Sequence, residues 1–194
     1  MRLLSKILIF AISSVGIGLL SAWYMIAVGS GITVATVGPW KSWYNEGSPD
    51  ADPYTRAHII RSGRLPITST GARYFNATTD SAGDPLMVDC EYHLVGKSIE
   101  ALWWGIAVYD KTGRSLPNKL ERYGFNKDNL YYRDDGVYEV RIAQSARSDN
   151  WLPSSGVGPM TIVLRIYRPK FPNELSNAES AAELLPTITK ISCS

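Results

Sequence analysis

Five carboxylates, Asp89, Glu91, Asp134, Asp135 and Glu139, fall in or beside the stretches of this chain that alternate most regularly. Two such groups can act as general acid and general base when folding sets them about 5–9 Å apart. Order along the chain does not reveal that separation, and strand alternation or turn position makes each of them a solvent-facing residue first. The histidines His58 and His93 are the other acid–base candidates. Neither sits in a helical metal-binding motif. Cys90 precedes His93 by three residues, an offset that places the two on opposite faces of a strand and so argues against a shared metal. The chain has no G-x-S-x-G nucleophile elbow, no glycine-rich phosphate loop and no spaced cysteine quartet. The expectation is no metal, no cofactor and no assignable catalytic residue.

Recognition chemistry is better represented. Trp151 stands in the run Ser148-Asp149-Asn150-Trp151-Leu152-Pro153. Its ring could offer a stacking platform, with Asn150 and Arg165 adding directional hydrogen bonds, and Tyr167 is counted with them as a candidate for ligand or partner recognition. Equally, Trp151 could plug one end of a sandwich with its indole N–H satisfied by backbone, which its place between a turn and Pro153 favours.

The elements that must carry these residues are mostly strands. Residues 86–94 place Leu86, Val88, Cys90, Tyr92 and Leu94 on one face and Asp89, Glu91 and His93 on the other, so the strand has one wet face. Residues 101–109 are apolar on both faces, which predicts a central strand covered on both sides. Stretches 130–133 and 137–143 flank Asp134-Asp135-Gly136, a hairpin signal, and 73–78 and 160–167 supply further strands. Asp52 before Pro53 predicts the start of a short helix ending near Gly63, with Leu65-Pro66 opening the next extended stretch. Ser176 and Glu179 suggest a capping box for a second helix that Pro186 stops. Without strand–helix–strand repeats, a mainly β, jelly-roll-like two-sheet sandwich with short flanking helices is expected.

An N-terminal transmembrane helix precedes it. Residues 7–28 carry no charge and span roughly the 30 Å hydrocarbon layer, which makes membrane lipid their partner. Arg2 and Lys6 lie before that segment and keep the N-terminus cytoplasmic by the positive-inside tendency. A cleaved signal peptide ending within 27–30 is the competing reading, although the apolar run is long for one. Ser14, Gly18 and Ala22 recur every four residues and offer a face for self-association in the membrane. The chain thus divides into stub and anchor at 1–28, linker at 29–51 and β domain at 52–194. Of 20 basic residues, 18 lie after Lys6 and balance 18 acidic ones, which argues against nucleic acid as a partner.

Trp103-Trp104 with Tyr109, Asn150-Trp151-Leu152-Pro153, and Leu164-Arg165-Ile166-Tyr167 with Pro169 resemble the domain of unknown function DUF1214. That domain often closes larger bacterial proteins in which it is paired with DUF1254. Asp52-Pro53-Tyr54-Thr55-Arg56-Ala57 and Tyr92-x-Leu94-x-Gly96 resemble its short, membrane-anchored form, and the likeness covers about 52–191. The resemblance implies a bacterial envelope protein with a jelly-roll-like domain and no established catalysis. Many relatives carry Asp-Gly after the Arg-x-Tyr-x-Pro region, whereas this chain continues Arg168-Pro169-Lys170-Phe171-Pro172-Asn173.

A single-pass protein of the bacterial inner membrane is therefore expected, with its C-terminal domain in the periplasm. In that oxidising compartment the only two cysteines, Cys90 and Cys193, would form a disulfide that pins the tail. The alternative is a buried thiol at Cys90 and a free one at Cys193. The functional expectation is non-catalytic binding of a protein or glycan partner, and the alternative is a carbohydrate-active or other hydrolase using the carboxylates and Trp151.

Overall fold

A computed structural model describes residues 2–28, 33–43, 45–63, 65, 67–68 and 70–193. The chain forms two compact units, one from Met1–Val34 with Trp43–Ile67 and one from Ala35–Ser42 with Thr68–Ser194.

The first unit holds helices α1 (Arg2–Ala27) and α2 (Pro53–Arg61). α1 is long and apolar enough to cross a membrane, and none of its residues is buried, as expected of an anchor. Within the candidate cleavage stretch, Gly29 and Ser30 lie outside the described residues. α2 begins as its sequence requires. The Asp52 carboxylate accepts from the Tyr54 and Thr55 amides at 2.9 and 3.1 Å and from the Thr55 hydroxyl at 2.5 Å. Burial works against the charge, but these hydrogen bonds outweigh it and hold the Asp52 carboxyl below its ordinary range. Ser62 ends the helix, and Pro66, expected to open the next extended stretch, lies outside the described residues.

The second unit is the expected mainly β fold of two sheets. β1 (Val34–Val37), β2 (Trp40–Trp43), β3 (Ala72–Ala77), β5 (Ala101–Asp110), β6 (Gly124–Asn126) and β9 (Met160–Pro169) form a sheet ordered β1-β2-β3-β9-β5-β6. β4 (Cys90–Lys97), β7 (Val137–Ala143), β8 (Asn150–Pro153) and β10 (Thr187–Cys193) form the other, ordered β10-β4-β7-β8. Alternation decides which side chains meet between the layers. Phe75, Trp104, Ile106, Leu164 and Ile166 of the larger sheet join one core with Tyr92, Leu94, Val140, Ile142 and Ile188 of the smaller. The Trp40 indole donates to the Pro186 carbonyl at 2.7 Å and so keeps its polar edge satisfied inside.

Helix α3 (Ala178–Leu184) is capped differently from expectation. Asn177, not Ser176, accepts from the Glu179 amide at 2.9 Å. Ser176 ends a 3-10 turn (Glu174–Ser176) and donates to the Pro172 carbonyl at 2.9 Å instead. The expected hairpin turn forms at Asp134-Asp135-Gly136, with Gly136 at φ 76, but its first arm makes only the isolated bridge Tyr132↔Tyr138. The disulfide Cys90–Cys193 is formed and closes β10 onto β4 in register.

Candidate functional site

β5 sits between β9 and β6, so its two faces meet different surroundings. Trp104, Ile106 and Val108 are buried in the core as expected, whereas Leu102, at the start of the same face, is exposed. The other face is not covered as the sequence suggested. Trp103, Ala107 and Tyr109 are half-buried and line an open groove of about 230 Å³ with Gly105, Tyr123, Phe125 and Arg165. A cross-strand row fixes its centre, because Gly105 pairs with Asn126 of β6 on one side and with Arg165 of β9 on the other. Gly105 makes room for the Trp103 ring, which lies over it: a Cβ there would come within 2.7 Å of Cη2 of that ring. Gly124 lets β6 approach β5 closely, since a Cβ there would meet the Ile106 carbonyl at 2.4 Å.

Arg165 is the groove's cation. One of its N–H groups donates to the Tyr109 hydroxyl at 2.6 Å, and the guanidinium stands 5.3 Å from that ring's centroid. Among the described residues no carboxylate pairs with it. Tyr167 backs the groove, with its ring 5.5 Å from Trp103 and its hydroxyl 3.2 Å from that of Tyr74.

The four expected recognition residues are split between the sheets. Arg165 and Tyr167 lie on β9 of the larger sheet, and Asn150 and Trp151 on β8 of the smaller. Asn150 is buried, and all its polar atoms serve the backbone. It accepts from the Tyr131 amide at 2.8 Å and donates to the Tyr131 and Glu139 carbonyls at 2.8 and 3.0 Å. Trp151 is half-buried, and its indole N–H donates to the Ala143 carbonyl at 2.9 Å. The backbone satisfaction expected of a plug is present; full burial is not.

The carboxylates meet arginines. On the smaller sheet His93 Nδ1 lies 3.1 Å from Glu139 and Nε2 lies 3.6 Å from Glu91. Arg147 holds Glu91 at 2.9 and 2.5 Å, while Arg141, at 2.9 Å, and Arg133 hold Glu139. The Arg147 hydrogen bond draws the Glu91 carboxyl below its ordinary value of 4.5. At Glu139 burial pulls upward, but the Arg141 hydrogen bond and the neighbouring charges outweigh it and hold this carboxyl low as well. Neither is poised to hold a proton at neutral pH, as a glycosidase acid must. Asp134 and Asp135 are exposed in the hairpin turn, where Asp135 accepts from the Val137 amide at 3.0 Å. His58 belongs to the first unit, stacked on Trp43 at 3.8 Å with Nδ1 2.9 Å from the Ile26 carbonyl. No group of three or more metal-ligating side chains occurs among the described residues.

The groove residues on β5 escaped functional notice in the sequence because two apolar faces signal burial first. The usable signal was the order aromatic, glycine, alanine, aromatic at 103, 105, 107 and 109 on one face, which describes a trough between rings.

Two solved structures match this chain, the first of them in fold. One is the VPA0106 protein of Vibrio parahaemolyticus, at 19% identity and a TM-score of 0.60, the match covering 74% of this chain and 36% of that one. The other is an uncharacterised protein from Burkholderia cenocepacia, at 15% identity and a TM-score of 0.42, covering 76% of this chain and 45% of that one. The chain thus spans less than half the length of either. No curated protein matches it. The family described as protein of unknown function (DUF1214) matches residues 71–171, from the turn before β3 to just past β9, and the chain belongs to that family.

Proposed function

We propose that this chain is a membrane-tethered, non-catalytic module that binds a glycan, displayed on the periplasmic side of a bacterial inner membrane. The observation that carries the reading is the open groove lined by Trp103 and Tyr109, in which the Trp103 ring lies over Gly105 and offers a surface for the flat apolar face of a sugar. Aromatic rings flanked by a few polar groups are a common way to hold such a ligand. Arginine-bound Glu91 and Glu139 favour binding over the hydrolase alternative, since a general acid needs a raised carboxyl. Arg2 and Lys6 before α1, with the Cys90–Cys193 disulfide after it, support the orientation.

Two measurements test the proposal. Saturation-transfer NMR on the full chain in nanodiscs should detect a monosaccharide or disaccharide. Trp103→Ala should weaken that binding about tenfold, the equivalent of roughly 1.4 kcal/mol, with the fold retained by circular dichroism. Binding of a protein partner unaffected by Trp103→Ala would point away from glycans. Protease added outside an intact inner membrane should digest the β domain and spare a short N-terminal fragment. A protected domain, where a periplasmic control protein is cleaved, would overturn the orientation.

A further inference from the structure

We infer that the groove selects a sugar ring bearing a carboxylate, with Arg165 as the residue that reads the charge. The inference rests on the glycan-binding reading and adds the ligand's chemical class. A guanidinium offers five N–H donors in a planar fork, and within the described residues Arg165 uses one of them, on the Tyr109 hydroxyl. It is half-buried among rings, and no carboxylate accompanies it among the described residues. A partly desolvated cation without a counter-ion favours whatever anion reaches it, and the fork matches a carboxylate in two parallel hydrogen bonds.

Geometry restricts that anion further. Gly105 and Arg165 are direct cross-strand partners and the Trp103 ring lies over Gly105, so a flat ring stacked on Trp103 lies beside the Arg165 side chain. Tyr109 draws the guanidinium toward one end of the groove, and the Trp103 ring covers its centre over Gly105. A ring stacked on Trp103 with a carboxylate at its far edge meets both. The volume of about 230 Å³ lies below the usual 300–1,000 Å³ of ligand pockets, which suits one ring. A uronic acid residue of an acidic polysaccharide has this shape and charge.

Titration calorimetry on the full chain in phosphatidylcholine nanodiscs decides the matter, with methyl glucuronide, methyl glucoside and benzoate as probes. The glucuronide should bind with a dissociation constant on the order of 1 mM and at least about tenfold more tightly than the glucoside. Arg165→Gln should abolish that preference. Tyr109→Phe, which keeps every charge and frees the guanidinium, should reduce it severalfold, so the inference does not depend on one variant folding. Equal affinity for glucuronide and glucoside, or a preference that survives Arg165→Gln, would overturn the charge reading and leave glycan binding standing. Benzoate binding as tightly as the glucuronide would overturn the sugar. Failure of both sugars to bind would overturn the inference together with the function on which it rests.

Discussion

Replacing Cys193 by Ser should lower the unfolding free energy by about 3–5 kcal/mol. The bond joins residues 103 apart in sequence, and the chain-entropy model assigns a loop of about 100 residues roughly 4.7 kcal/mol. Beyond its pairing with β4 and the Lys190–Asp84 ion pair, β10 has few other ties: of its residues only Ile188 is buried, and the rest of the strand is exposed at the edge of the smaller sheet. The Ile188 amide and carbonyl are held by Ser81, at 2.9 and 2.8 Å, which leaves the last residues of the strand dependent on the cross-link and the pairing with β4. Cys90 is buried, and as a free thiol it behaves as a small hydrophobe, so Cys193→Ser reports the cross-link and not a cavity. Urea unfolding of the wild type with and without reductant, beside the variant, measures the effect. The thermal midpoint should fall by roughly 10 °C at this chain length. A reduced wild type with an unchanged midpoint would show that β10 docks without the bond.

The bond also shows where sequence reading stops. The cysteines are legible as a pair, but β10 is not legible as a strand, because most of it is exposed and a tail with one buried residue has no period to detect. β4, β5, β7 and β9 run for seven to ten residues with one face in the core, and that repetition is long enough to read. β6 and β8 have three and four residues and exist because longer neighbours offer them an edge. β1 and β2 follow an apolar run that reads as a continuation of the anchor, so nothing local separates them from a linker. The groove was half legible. Arg165 and Tyr167 stand out as polar and aromatic outward positions on β9, but their partners on β5 lie some 60 residues earlier, and only the pairing of Trp103 with Tyr167 and of Gly105 with Arg165 brings them together. No pattern within either strand contains that pairing.

Asn150 is buried with its amide spent on backbone groups, and its replacement carries the other large effect. In the run Asn150-Trp151-Leu152-Pro153 an amide beside an indole reads as a recognition pair, yet the structure turns the amide inward. Asn150→Ala should destabilise the domain by about 2–4 kcal/mol, because three backbone groups lose partners at a part-buried site, where each orphan costs roughly 1 kcal/mol or a little more. The loss falls where it matters for topology. Asn150 sits at the start of β8, beside its parallel partner Val140 on β7, and its amide ties both the Glu139 carbonyl of β7 and the Tyr131 backbone to that end of the strand. Trp151→Ala, by contrast, removes a half-exposed ring and one indole hydrogen bond, and should cost only about 1–2 kcal/mol. Asn150→Asp keeps the acceptor for Tyr131 but loses both donors and sets a charge against two carbonyls, so it should rescue little. Denaturant titration of the three variants gives the order directly. Ligand binding in the groove, on the other sheet, should persist in any Asn150 variant that remains folded. If Asn150→Ala proved nearly as stable as wild type while ligand binding disappeared, the amide would be a recognition group after all, and the site would have to be sought on β8.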